Sequence, residues 1–211
     1  MQDIKMPPSI DPMAMFKLSY GLFVLTAKDG PKDSGCIINT VVQITAAPVR
    51  ISIAVNKANF THETIIKSGE FNLSVLAESA PFRIFQQFGF QSGRLTDKFA
   101  GCTYNERAAN GIRYVSEHTN CMISAKVSAF YDYGTHTVFI ADVTESFLLS
   151  AEPSATYQYY FDHIKPKPQK ADKKGFVCKI CGYVYAGDSL PPDFVCPTCK
   201  HSAQEFEALR A

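Results

Sequence analysis

The sequence lacks an excess of charge of either sign: its 211 residues carry 21 Lys and Arg against 20 Asp and Glu, a formal net charge of +1. It therefore lacks the bulk basicity typical of nucleic-acid binding. It has no run of about 18 apolar residues, which argues against a membrane-spanning helix, and its first residues lack the apolar centre of a secretion signal. We expect a cytoplasmic protein that binds neither nucleic acid nor membrane.

Two common enzyme signatures are also missing. No G-x-G-x-x-G motif follows a strand, so the sequence does not indicate a Rossmann unit for NAD(P)H. No Ser/His/Asp or Cys/His constellation supports a nucleophile, and we assign no catalytic acid or base. Three of the seven cysteines, Cys36, Cys102 and Cys121, lie far apart in sequence, as is typical of reduced thiols in a reducing compartment.

The other four cysteines form two C-x-x-C pairs, Cys178 with Cys181 and Cys196 with Cys199, separated by 14 residues. Four thiolates at this spacing predict a tetrahedral metal site, and both zinc and iron suit such a site. The 37 residues from Gly175 onward are too few to bury a sufficient core. We therefore expect the metal to stabilise this segment.

Composition divides the chain into three parts. Residues 165–174 contain five Lys, two Pro and one Asp, a composition that favours a solvated linker over a nucleic-acid patch. We predict a first domain over residues 1–164, a linker over residues 165–174 and a small metal domain over residues 175–211.

The first domain shows short runs of β-branched and aromatic residues separated by turn residues. This pattern predicts a mainly β protein with a few helices, closed as a barrel. The predicted strands cover residues 21–27, 35–45, 50–56, 71–77, 113–116, 121–133 and 136–150, the last two joined at Gly134. Helices are predicted after Thr61 as N-cap and ending at Gly69, after Ser79, and over residues 154–164.

Several segments, taken in order, resemble the flavin reductase-like, FMN-binding split-barrel family. They are the G-x-x-x-x-T strand at Gly21, the run S-G-C-I-I-N-T-x-x-Q-x-T, the block I-x-V-N-K-x-x-x-T-x-x-x-I, the strand FNLSVL, the run F-G-x-x-S-G-R-x-x-D-K-F and the strand HTVFIADV. The resemblance spans residues 16 to about 164. It implies a split barrel that binds FMN near the interface of a homodimer.

The resemblance and the residue chemistry together give ten candidate FMN contacts. Thr61 at a helix start, preceded by Asn56 and Lys57, is expected to hold the phosphate or the ribityl chain, because a helix N-terminus favours anions. The alternative for Thr61 is a plain N-cap.

The other candidates are expected near the isoalloxazine ring. One group resembles the ring-facing strand of the family, where buried amides need polar partners; it comprises Asn39, Thr40, Val41 and Gln43. Lys98, His136 and, more weakly, His62 resemble positions close to the flavin. Taken alone, a single Lys or His is more often a solvated surface group.

The tail resembles rubredoxin through the motifs C-G-Y-x-Y and D-F-x-C-P-x-C. This resemblance implies one iron bound by Cys178, Cys181, Cys196 and Cys199, whereas the cysteine spacing alone favours structural zinc. Aromatic residues flank the predicted site: Phe176, Tyr183, Tyr185 and Phe194. The inter-pair loop is shorter than in free-standing rubredoxins, and Phe194 stands where tryptophan is usual, in a chain with no tryptophan at all.

As a whole, the chain resembles the flavin reductase–rubredoxin fusions of anaerobes, the high-molecular-weight rubredoxins. The resemblance implies an oxidoreductase that passes electrons from NAD(P)H through FMN to an Fe(Cys)₄ centre. A partner such as a flavodiiron nitric oxide or oxygen reductase would then accept them. The alternatives are a flavin or ferric reductase whose tail is a structural zinc module, and a non-redox docking protein.

Overall fold

The computed structural model describes residues 14, 17–166, 175–179, 183–196 and 201–209. Its first domain is mainly β, as predicted. The strands of this domain are β1 (Phe23–Asp29), β2 (Lys32–Ile38), β3 (Val41–Ala46), β4 (Val49–Asn56), β5 (Glu70–Leu76), β6 (Asn105–Arg107), β7 (Arg113–Val115), β8 (Thr119–Asp132) and β9 (His136–Leu148). The helices are α1 (Phe60–Ser68), α2 (Phe82–Gly89) and the single turn α3 (Tyr157–Tyr159), which continues as a π-helical turn over Tyr160–Ile164.

Seven strands form one sheet in the order β2-β1-β5-β8-β9-β4-β3, and neighbouring strands in it are antiparallel. The two edge strands, β2 and β3, are consecutive in the chain and only Asn39 and Thr40 separate them. Because so short a connection joins opposite edges, the sheet has to curl round until the edges meet. The prediction of one continuous strand over residues 35–45 is therefore wrong.

Alternating burial along the strands builds the barrel core. β4 buries Ile51, Ile53 and Val55 in turn, and Phe139 of β9 is fully buried beside them. A second core lies between α2 and the π-helical turn, where the rings of Phe85 and Tyr160 are 4.5 Å apart. The barrel is thus packed on both sides of β1 and β5.

The helix ends correct one prediction and confirm another. The N-cap of α1 is Asn59, not Thr61, because Asn59 has the extended backbone of a cap (φ −72°, ψ 129°) and Thr61 is already helical. Gly69 ends the helix as predicted, with φ 71° and its N–H donating to the carbonyl of Ile65. None of the described helices is both long and apolar enough to cross a bilayer.

The described part of the tail contains β10 (Gly175–Cys178), β11 (Val184–Ala186) and β12 (Phe206–Ala208), with a 3₁₀ turn over Ala203–Glu205. These strands form a small antiparallel sheet in the order β11-β10-β12. Most of the predicted linker, residues 167–174, lies outside the described residues.

Candidate functional site

A cavity of about 640 Å³ opens at the start of α1. Its walls come from β2, from the first turn of α1, from the segment after α2 and from the tail. The residues that line it are Gly35, Cys36, Ala58, Asn59, Phe60, Thr61, Gly89, Phe90, Gln91, Ser92, Gly93, Leu95, Thr96, Lys98 and His201. This volume lies within the range of natural small-molecule pockets.

The first turn of α1 forms an anion-binding end of the cavity. The side chain of Asn59 makes no capping hydrogen bond, so it does not compete with a ligand for the first N–H groups of the helix. The N–H of His62 donates to the backbone carbonyl of Asn59 at 3.0 Å, but the N–H groups of Phe60 and Thr61 precede the first intrahelical acceptor and lie at the positive end of the helix dipole. The arrangement suits a phosphate group.

Lys98 places a cation beneath the same cavity. Its side chain is buried, and its Nζ donates to the carbonyl of Gly35 at 2.8 Å and to that of Phe88 at 2.9 Å. Burial lowers the pKa of Lys98 to about 8, since the charged ammonium loses its hydration. Lys98 therefore remains mainly protonated at neutral pH, and a bound anion would raise its pKa again by favouring the charged form.

Cys36 lies beside Lys98 and Thr61. Burial raises the pKa of the Cys36 thiol to about 11, and a hydrogen bond from Thr61 and the charge of Lys98 only partly oppose that rise. The thiol is therefore neutral at physiological pH. Cys36 contributes a small apolar wall rather than a nucleophile, in agreement with the sequence-based interpretation.

An ion pair connects the segment after α2 to α1. The guanidinium of Arg94 donates to both carboxylate oxygens of Glu63, one of them at 2.8 Å. The Arg94 guanidinium holds the pKa of Glu63 below its usual range. The pair is half-exposed, so its energetic contribution is small, but it fixes Ser92 and Gly93 opposite the first turn of α1.

Among the ten predicted flavin contacts, the structure brings Thr61 and Lys98 to this cavity. A second group lies at the end of β4 and the start of β9. There Lys57 pairs with Asp132 at 2.6 Å, and the side-chain oxygen Oδ1 of Asn56 accepts the N–H of Ala58 at 2.9 Å. Asn56 also pairs with His136 across the strands.

His62 belongs to the same region but faces the interior. Its Nε2 lies 2.8 Å from the Thr137 hydroxyl, and its ring packs 5.6 Å from that of Phe139. Burial lowers the pKa of His62, and the positive charge of Lys57 lowers it further. His62 is therefore a neutral, packed residue at neutral pH.

The third group lies at the β2–β3 connection and on β3. Thr40 donates to the carbonyl of Ala54 at 2.7 Å, and the amide of Gln43 donates to Thr45 at 3.2 Å. From Val42 onward β3 is exposed. The expectation that Gln43 is a buried amide in need of a ligand is therefore wrong for the single chain.

Sequence reasoning did not single out most of the cavity walls. The missed residues include Cys36, Asn59, Phe90, Ser92, Gly93 and His201. The run F-G-x-x-S-G-R contains three of them, Phe90 being its first unspecified position, but it served only to support the resemblance. The signal that was available is the Ser-Gly pair next to an arginine in a loop.

The metal cysteines form the second part of the site. Cys178 and Cys196 are 1% and 0% exposed and belong to one buried cluster. The N–H of Cys178 donates to the carbonyl of Tyr183 at 2.9 Å, and that of Cys196 donates to the carbonyl of His201 at 2.8 Å. Each bond therefore brings the first cysteine of a C-x-x-C pair close to the residue five positions after it.

The other two predicted ligands, Cys181 and Cys199, lie outside the described residues. Within the described ranges, no three metal-ligating side chains converge. The donor chemistry fits a tetrathiolate metal, because both described cysteines are buried in an apolar shell. In that shell the ring of Phe194 lies 4.7 Å from Tyr185 and 5.3 Å from Phe206.

Fold and site together define the class of protein. It is a split β-barrel with a cavity at a helix N-terminus, joined to a small domain that contains two C-x-x-C pairs. The family model for the flavin reductase like domain matches residues 15–167. The model for the rubrerythrin, rubredoxin-like domain matches residues 176–207. The chain belongs to the flavin reductase-like family and carries a C-terminal rubredoxin-like domain.

Known relatives agree with this assignment. The chain is 36% identical to a high molecular weight rubredoxin of Moorella thermoacetica, a match that covers 95% of this chain and 100% of the relative. It is also 36% identical to a ferric-chelate reductase (NAD(P)H) of Archaeoglobus fulgidus, over 72% of this chain and 89% of the relative.

Among solved structures, an FMN-binding protein of Thermus thermophilus superposes with a TM-score of 0.60 at 17% identity, over 68% of this chain and 78% of that protein. At this identity the likeness shows the fold alone. The predictions of a mainly β split barrel, a rubredoxin-like tail and a flavin-dependent oxidoreductase are confirmed.

Proposed function

We propose that the protein carries electrons from NAD(P)H through FMN to one iron held by four cysteines, and from there to a redox partner protein. The contact between the two sites supports this most directly. His201, two residues after the second cysteine pair in sequence, lines the cavity at the start of α1. A metal that only stabilised its own segment would have no need to lie beside that cavity.

The electron count explains why both centres are present. A nicotinamide delivers a hydride, which carries two electrons, whereas one iron accepts one electron; flavin chemistry connects the two. One NAD(P)H and two ferric ions give NAD(P)⁺, two ferrous ions and one proton. Each chain holds one iron, so the second electron follows after the first has left for the acceptor.

The residues around the cavity fit FMN. The first turn of α1 would hold the single phosphate, with Thr61 and Ser92 as hydroxyl partners and Lys98 as a buried cation. A cation close to the isoalloxazine ring stabilises the negative charge that accumulates on the ring when the flavin is reduced. The FMN-binding relative from Thermus shares this fold.

We propose that a second copy of the chain covers β3. Val42 and Ile44 on β3 are 62% and 47% exposed, and Phe130 and Tyr131 near the β8–β9 hairpin are 57% and 56% exposed. Exposed apolar groups of this extent are typical of an interface. A homodimer would bury the predicted ring contacts Asn39, Thr40, Val41 and Gln43 next to a flavin.

One alternative has a specific observation in its favour. The ferric-chelate reductase relative matches 72% of this chain, a share close to the barrel alone. A barrel that reduces ferric complexes directly would use the tail only as a structural zinc module. The aromatic shell of Cys178 and Cys196 and their position next to the cavity favour the iron relay.

One experiment separates the two functions. The protein purified without oxygen should contain about one flavin and one iron per chain, and its spectrum should show both flavin and ferric tetrathiolate bands. Excess NADH should bleach both sets of bands. Stoichiometric zinc without iron would leave direct ferric reduction as the function.

The terminal partner that we propose is a flavodiiron protein, as the resemblance to the rubredoxin fusions implies. We further propose that the protein works in the cytoplasm, where thiols remain reduced. The described thiols Cys36, Cys102 and Cys121 form no disulfide, which is compatible with that compartment.

A further inference from the structure

The rubredoxin-like tail packs against Phe90 of the barrel and shares two cavities with residues between positions 90 and 98, which we call the docking segment. Two positions of the tail take part, Tyr183 and His201. Each lies five residues after the first cysteine of its pair, and the two are 18 residues apart, as are Cys178 and Cys196. Each accepts a backbone hydrogen bond from the first cysteine of its pair, so the two positions are equivalent and both lie close to the cysteine cluster.

Two cavities flank this contact. His201 lines the cavity of about 640 Å³ at the start of α1. Tyr183 lines an adjoining cavity of about 610 Å³, whose other walls include Arg83, Gln87 and Tyr104. The cavities share Gln91, Thr96 and Lys98, so His201 and Tyr183 line adjoining cavities on the docking segment.

Phe90 is the side chain at the centre of this contact. It lines the first cavity and also packs against the cluster of Cys178 and Cys196. The inward residues of α2, such as Phe85 and Phe88, belong to the barrel core, whereas Phe90 belongs to the cysteine cluster. The barrel therefore presents to the tail an aromatic ring that lies at the margin of its own core, beside Phe82.

The position of Phe90 is well defined. It forms the C-cap of α2, with φ −108° and ψ −1°, and its N–H donates to the carbonyl of Gln86 at 3.3 Å. Its ring lies 5.8 Å from that of Phe82 at the other end of the helix. A ring fixed in this way can dock a partner with little loss of conformational entropy.

We propose that the docking segment, with Phe90 as its central positioning residue, is the surface on which the rubredoxin-like tail receives electrons from the flavin of its own chain. The inference rests on the proposed function and specifies the docked pair. In this arrangement one side chain lines the proposed flavin cavity and packs against the cluster that contains two predicted iron ligands, Cys178 and Cys196.

A small contact is sufficient for this purpose. Electron-transfer encounters use small interfaces, and these are weak when the partners are separate molecules. A tether of about ten residues raises the effective concentration of the tail to roughly the millimolar range. With a contact built on one aromatic ring, the docked state of the tail can then be populated. The same contact is weak enough to release the tail to a partner protein.

The test uses the full chain, loaded with flavin and iron, and compares three variants. Phe90→Ala removes the ring, Phe90→Leu retains an apolar side chain, and Phe147→Ala removes an exposed ring of β9 as the matched control. Stopped-flow mixing with NADH follows the flavin and iron bands separately. Flavin content is measured for each variant, because Phe90 also lines the cavity.

Loss of a central aromatic anchor commonly weakens a contact by tenfold or more. We therefore expect Phe90→Ala to slow iron reduction at least about tenfold after correction for flavin content. Phe90→Leu should recover most of the rate, and Phe147→Ala should match the wild type. An unchanged rate in Phe90→Ala would overturn the proposal.

A second measurement tests docking without electron transfer. In the full chain with zinc in place of iron, ¹⁵N relaxation should show Val177 and Phe206 tumbling with the barrel, and independently of it in Phe90→Ala. Independent tumbling already in the wild type would overturn the proposal. If the tail docks but NADH reduces the flavin and never the iron, the proposed function fails instead.

Discussion

The ammonium of Lys98 donates to the carbonyl of Gly35 at 2.8 Å, which places a buried cation one residue away from Cys36. The cavity at the start of α1 thus combines a lysine that burial makes less basic with a thiol that burial makes less acidic. Both shifts have the same physical cause, the loss of hydration in a site shaped to hold a ligand. The first prediction follows from this pair.

Lys98→Met should remove a pH dependence of stability in the flavin-free protein. The folded pKa of Lys98 is about 8, below its ordinary value of 10.5. Between pH 8 and pH 10.5 the unfolded chain therefore binds more protons than the folded chain. The burial of charged Lys98 destabilises the folded protein to its full extent below pH 8. This destabilisation decreases as the pH rises above 8. Between pH 7 and 9 the wild type should gain roughly 1 kcal/mol of unfolding free energy relative to Lys98→Met.

Chemical denaturation at a series of pH values measures this difference. Titration of Cys36 contributes little to the pH dependence of stability between pH 7 and 9. The thiol pKa is about 11 in the folded protein and near 9 ordinarily, so its contribution appears mainly above pH 9. Lys67→Met, on the exposed side of α1, is the control and should retain the wild-type slope. Equal slopes for wild type and Lys98→Met would contradict the prediction.

Asn59→Asp should change flavin affinity and apoprotein stability in opposite directions. A carboxylate at the N-cap of α1 interacts favourably with the helix dipole. The unfolding free energy of the apoprotein should therefore increase by about 0.3–1 kcal/mol. The same charge repels a phosphate at that helix end, so flavin affinity should fall about tenfold or more at low salt. Titration calorimetry measures the affinity, and Asn59→Ser keeps the cap without charge. Unchanged flavin affinity in Asn59→Asp would mean that the phosphate does not bind at the start of α1.

Ile44→Lys should weaken the proposed dimer. Ile44 is 47% exposed on the edge strand β3, and a charge buried at an apolar interface without a partner is strongly unfavourable. We expect the dimer dissociation constant to rise at least about tenfold, measured by sedimentation equilibrium. Leu148→Lys, which changes an exposed leucine at the far end of β9, should have no such effect. A wild-type protein that sediments as a monomer would remove the basis for this prediction.

Much of the barrel was predictable because its strands alternate buried and exposed residues, and turn residues separate them. The break at Asn39 and Thr40 was not, since residues 36–38 before it and 41–42 after it are apolar and the break itself contains no glycine or proline. Tertiary structure sets that break, because the chain there passes from one edge of the sheet to the other. The local pattern of apolar and polar residues does not predict where the chain crosses from one edge of the sheet to the other.

The same distinction applies to the site. Lys98 could be identified from a motif, and the cysteine pairs from their spacing. Phe90 could not, because an aromatic residue at the end of an amphipathic helix is typical of a core position. Its partners, Cys178 and Cys196, are about 90 or more residues away in sequence, and only the folded chain brings them together.

Cys178→Ser should separate the two halves of the relay. A serine hydroxyl is a poor ligand for iron at neutral pH, so the variant should lose the ferric tetrathiolate band and its iron. Flavin reduction by NADH does not pass through the metal, and the flavin band should still bleach. Reduction of a purified flavodiiron protein by NADH should fall at least about tenfold. Cys102→Ser, which changes a half-buried thiol of the barrel, is the control. Delivery at the wild-type rate in Cys178→Ser would mean that electrons leave directly from the flavin, and the tail would then be a structural module.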